Sequence, residues 1–112
     1  MTIPRIDAMI EQCLALALNT PEGWRDVVRV LAKDWPKASV TELVLTLVEA
    51  GHAIESNFDD ESPSGPQAAR LYRLAALLSL DIHAMATIGV ENNTATDLLL
   101  YWSKNDRYFL DL

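Results

Sequence analysis

The segment Gln67–Ile88, QAARLYRLAALLSLDIHAMATI, constrains the fold more than any other stretch. It is the longest apolar run in the chain and follows its one clear break. Ala68, Leu71, Ala75, Leu78, Ile82 and Met85 recur at alternating steps of three and four, which places them on one helical face. Leu74 widens that face. The opposite side is not cleanly polar: Tyr72, Ala76, Leu77, Leu80 and Ala84 stand among Arg70, Arg73, Ser79, Asp81 and His83. A helix apolar over most of its circumference is expected to be covered by neighbours on several sides. Each leucine so buried contributes about 1.5–3 kcal/mol. Gly65-Pro66 suits the start of this helix, and Gly89 suits a left-handed cap at its end.

The flanking segments read as further helices. Pro4 fits the first turn of a first helix, preceded by Thr2 or Ile3, in which Ile6, Met9, Ile10, Cys13, Leu14 and Ala17 form a stripe. Thr20-Pro21-Glu22 has the cap, proline and first-turn acid of a second helix running to about Lys33, with Trp24, Val27, Val28 and Leu31 facing inward. Pro36 ends it. Ser39-Val40-Thr41-Glu42 is a capping box opening a third helix to about Asn57. Its stripe is Val40, Leu43, Val44, Leu47, Val48, Gly51, Ile54 and Phe58. A glycine inside that helix costs about 1 kcal/mol relative to alanine, and a close helix crossing at Gly51 would explain it. Residues 59–66, DDESPSGP, form an acidic, proline-rich loop joining two halves of one domain. Thr94 or Asn93 caps a fifth helix with Asp97 in its first turn. That helix either continues through Asn105-Asp106 or turns at Ser103–Asp106, leaving RYFLDL as a docking arm. No segment sustains the two-residue alternation of a strand. The expected fold is all-α: one domain, residues 1–112, of five helices in a bundle-like arrangement with the fourth central.

Composition narrows the function classes. A chain of 112 residues can bury one core. At 50% hydrophobic residues it sits at the upper edge of soluble proteins, which suggests surface covered by a partner or a second copy. The net charge of −7 disfavours nonspecific attraction to nucleic acid or an anionic membrane. The single cysteine, Cys13, excludes an intrachain disulfide. MTIPRIDAMIEQ carries charges where a signal peptide needs an apolar run, and no uninterrupted apolar stretch reaches about 18 residues. A cytoplasmic protein without a membrane span is therefore expected.

Four patterns in the sequence admit a chemical reading beside a structural one. Helices two and three loosely resemble a helix-turn-helix, with Arg25, Arg29, Lys33 and Lys37 as a basic stripe. The would-be reading helix presents Thr41, Glu42, Thr46 and Glu49, which offer no cation to phosphates or bases, so the stripe reads as a solvated face paired in part with Asp26 and Asp34. Glu49 and His52 have the Glu-x-x-His spacing of carboxylate-bridged metal sites, but His83 has Leu80 where the matching acid belongs. Cys13 lies on an apolar stripe, which favours a buried, inert thiol over a nucleophile. Asp59, Asp60 and Glu61 sit in a loop rather than at fixed spacing on helices, and read as solvating a connector rather than holding magnesium. No phosphate loop, zinc cluster or serine-nucleophile motif is present, and no cofactor is implied.

The aromatic residues point elsewhere. Trp35, in a turn beside Pro36, and Tyr108 and Phe109, near the C-terminal end, are harder to bury than aromatics inside helical stripes, and aromatics are enriched in protein interfaces. These three residues are the expected partner-binding positions. The leading expectation is a small interaction or regulatory protein, self-associating as a homodimer or binding a protein partner. A small-molecule or metal-using enzyme ranks second, and a helix-turn-helix-like nucleic-acid-binding regulator third.

Overall fold

Ser39 and Thr94 each end an extended stretch and begin a helix, and the two lie side by side as a single antiparallel bridge. The computed structural model describes residues 5–59 and 61–112. Within them the chain forms six α-helices: α1 Arg5–Asn19, α2 Val27–Asp34, α3 Val40–Asn57, α4 Gln67–Thr87, α5 Ala95–Lys104 and α6 Tyr108–Asp111. A 3-10 turn, Gly23–Arg25, precedes α2. The expected all-α class holds. The expected positions of Thr2, Ile3, Pro4 and Asp60 lie outside the described residues.

Local sequence explains most boundaries. At α3 the Ser39 hydroxyl accepts from the Glu42 amide at 3.0 Å while the Glu42 carboxylate accepts from the Ser39 amide at 3.0 Å, a complete capping box. Thr94 and Asp97 make the same reciprocal pair at α5. The bridge joins the two starts: the Val40 amide donates to the Asn93 carbonyl at 3.0 Å and the Ala95 amide to the Ala38 carbonyl at 2.8 Å. Gly89, at φ 79°, ends α4, with the Val90 amide bonded to the Met85 carbonyl and the Gly89 amide to that of Ala86. The second helix departs from expectation. Thr20 caps nothing, and α2 begins only at Val27, after the 3-10 turn. Gly23 lies so close to α1 that a Cβ there would sit 1.9 Å from the Leu16 carbonyl oxygen, and this tertiary contact holds the turn in place of a longer helix.

One core runs through the described residues, from Met9, Cys13 and Ala17 of α1 to Trp102 of α5 and Phe109 of α6. From α4 it takes Leu71, Leu74, Ala75, Leu78 and Met85, as the periodicity implied. The far side of α4 nevertheless meets water, with Arg73, Ala76, Leu80 and His83 exposed. The helix packed on several sides is α3, which lies chiefly against α4 and α1 and also touches α2 and α5. The α3–α4 crossing is close at Gly51, where an added Cβ would lie 2.7 Å from Cε1 of Tyr72. Thr46, expected on the exposed side of α3, is fully buried, and its hydroxyl donates to the Glu42 carbonyl at 2.7 Å. Phe58, placed on the inward stripe, is exposed instead. Arg5 clamps the Glu42 carboxylate through two bonds of 2.9 and 2.6 Å, fastening the start of α1 to that of α3.

Candidate functional site

The C-terminal part of the chain turns after Lys104, so the shorter of the two expected forms is the one adopted. Asp106 accepts from the Tyr108 amide at 3.0 Å and steers the backbone into α6. Phe109 then drops against the buried Trp102, ring centroids 5.2 Å apart, while Tyr108 stays on the rim with its ring edge-on to Phe109. This docked arm is one wall of a groove of about 430 Å³. Arg73, Leu77, Leu80 and Asp81 of α4 form the other wall.

The groove mixes apolar surface with opposed charges. Leu80 is 63% exposed, more than any other large apolar residue among those described, and Tyr108 is 41% exposed. Phe109 is only 1% exposed and forms the floor. Asp81 is half-buried, and one of its oxygens accepts from the Trp102 indole N–H at 2.9 Å. Burial raises the Asp81 pKa above the ordinary carboxylate value; the Trp102 bond opposes that rise and the nearby charge of Asp106 adds to it. Neither Asp81 nor Asp106 has a salt-bridge partner among the described residues, and neither does Arg73. Such a groove can seat an apolar side chain and satisfy charges of both signs at its edges.

The expected partner-binding residues are thus divided. Tyr108 and Phe109 come together as rim and floor. Trp35 lies outside the groove, half-buried at the end of α2, where its indole N–H donates to Gln12 at 2.7 Å. Leu80 and Asp81 were not singled out by sequence, although Leu80 stood on the wrong side of the α4 stripe and so carried the signal of an exposed apolar residue.

The other candidate positions are dispersed. Glu49 and His52 are both exposed on α3, and no cluster of three histidine, cysteine or acidic residues able to hold a metal forms among the described residues. Neither His52 nor His83 lines the groove. Cys13 is fully buried, and burial pushes its thiol up to about 12, far from a nucleophile's range. In the basic stripe, Arg25 pairs with Glu22 and Arg29 with Asp26. Asp34, expected to pair with that stripe, instead accepts from Gln12 at 2.6 Å. Among the described residues no helix is long and apolar enough to cross a membrane.

No family model, no curated protein and no solved structure matches this chain.

Proposed function

We propose that this protein is a small cytoplasmic interaction module that acts through protein–protein contacts, self-association among them, with the groove between α4 and α6 as its contact surface. The observation that carries this reading is Leu80, which at 63% is the most exposed large apolar side chain among the described residues and stands beside a half-exposed tyrosine. An apolar side chain in that position costs the monomer hydration free energy that a partner would recover, at about 25 cal/mol per Å² covered. Aromatic side chains are also enriched at the centres of protein interfaces, with polar groups at the rim. A binding surface accounts for the groove better than catalysis does. Its polar groups are two carboxylates, one guanidinium and the Tyr108 hydroxyl, without a histidine, cysteine, serine or lysine among them.

The test is affinity capture from the native host with the wild-type chain and with Leu80→Asp in parallel, read by mass spectrometry. The reading expects a stoichiometric protein, or further copies of the chain itself, retained by the wild type and lost from the variant. Identical captures by both would move the function away from this groove.

A further inference from the structure

We infer that the groove between α4 and α6 takes a second copy of this chain in a two-fold arrangement, α4 lying antiparallel to α4 of the partner and centred near Leu77. This rests on the reading of the groove as a protein contact and specifies its occupant. Three observations carry it. The first is the pattern of charge along α4. Arg73 and Asp81 sit four residues to either side of Leu77, about 6 Å along the axis in each direction, and neither has an ionic partner among the described residues. In an isologous contact residue i meets j and j meets i. An antiparallel α4 pair about Leu77 therefore brings each Arg73 level with the other copy's Asp81, with Asp106 alongside, so that two reciprocal ion pairs form from four unpaired charges. A partner segment that was wholly basic would satisfy the acids and confront Arg73; a second copy pairs each Arg73 with an Asp81 and leaves Asp106 as the one acid in excess on each side.

The second observation is shape. Leu80 projects from the ridge of α4 while Leu77, Tyr108 and Phe109 form a hollow beside it. Under the same two-fold, each Leu80 enters the other copy's hollow, so knob and hole are supplied by one sequence. The third is room. Two neighbours of Leu80 on α4, the exposed Ala76 and the half-buried Ala84, are small and leave space for a partner helix beside the exposed His83. A 21-residue helix is about 31 Å long, so an antiparallel pair centred near Leu77 overlaps along its length. The net charge of −7 on each copy opposes association at long range. At physiological ionic strength, however, the screening length is about 8 Å, so the contact pairs outweigh charges elsewhere on the surface.

Sedimentation equilibrium of the full chain between about 1 and 100 μM in physiological salt provides the readout. The wild type is expected to be a dimer in this range, and Leu80→Glu and Arg73→Glu are each expected to weaken dimerisation at least tenfold. Mixing Arg73→Glu with Asp81→Lys tests the register directly. Each variant alone meets like charges across the two-fold, whereas the mixed pair restores both ion pairs, so the expected product is a heterodimer. Formation of that heterodimer also shows that both variants fold, and circular dichroism of each alone checks the same point. A monomeric wild type overturns the inference. So does a dimer indifferent to Leu80→Glu, or two well-folded charge variants that fail to combine. A monomer that still captures a different protein through Leu80 would leave the proposed function standing and remove only the second copy.

Discussion

Gly51→Ala offers a test of the α3–α4 crossing in which the sign of the effect, and not only its size, is at stake. In the interior of a helix, alanine is favoured over glycine by about 1 kcal/mol. The added methyl would lie 2.7 Å from Cε1 of Tyr72 and 3.1 Å from Cδ1 and Cζ. Ordinary carbon–carbon contacts are about 3.5–4.0 Å, so the ring would have to retreat by roughly 1 Å. Forcing such a shift costs about 1–3 kcal/mol. The clash outweighs the propensity, and a net loss of about 1 kcal/mol is expected. For a chain of this size that lowers the thermal midpoint by about 4 °C. In a Tyr72→Ala background the obstruction is gone and the propensity gain alone remains, so the same substitution should raise the midpoint by about 4 °C. Thermal unfolding followed by circular dichroism on the four proteins of this double-mutant cycle measures both effects. Should Gly51→Ala stabilise both backgrounds equally, the crossing is not tight at this point and the reasoning fails.

Trp102→Phe removes the indole donor from the half-buried Asp81. Hydrogen bonds to charged groups contribute about 1.5–3 kcal/mol, so urea unfolding should show a loss of at least that order, and a change within error would refute the pairing. Glu42 is held below its ordinary pKa of 4.5, chiefly by the Arg5 guanidinium and then by the Ser39 amide. Its contribution is thus present above that value and disappears as pH falls through the lowered folded value. Glu42→Gln should flatten the acid limb of a stability–pH curve, and an unchanged limb would count against the clamp. The Cys13 thiol should react with an aromatic disulfide reagent at pH 8 only as fast as the chain opens, with the rate climbing as urea is added. Rapid reaction of the native protein would contradict its burial.

Features decided by nearest neighbours were readable from the residue order. Ser39 and Glu42 announce a capping box at the only spacing that allows one, Gly89 supplies the left-handed end of α4, and Gly51 marks a crossing because no other reason for it exists inside an apolar helical stripe. What escaped was decided across the fold. Thr20-Pro21 has all the marks of a helix start, yet the approach of Gly23 to the Leu16 carbonyl imposes a tighter turn. The apolar residues on the far side of α4 implied neighbours all around. The chain instead gives that role to α3 and leaves Leu80 and Arg73 at the surface. The groove was half legible: Tyr108 and Phe109 stood out as aromatics with no helical stripe to join, whereas Asp81 acquires its part only through Trp102, a residue of another helix.

The bridge between Ser39 and Thr94 bears on how the chain can be divided. Each half of the protein, on either side of the acidic connector, holds carbonyls that the other half's first helical amides require: Asn93 serves Val40, and Ala38 serves Ala95. A backbone nick at Pro63-Ser64 should therefore leave two peptides that are poorly ordered apart and regain helical ellipticity when mixed in equal amounts. The seam works as a latch between fragments, and two peptides that fold fully on their own would show it to be ornamental.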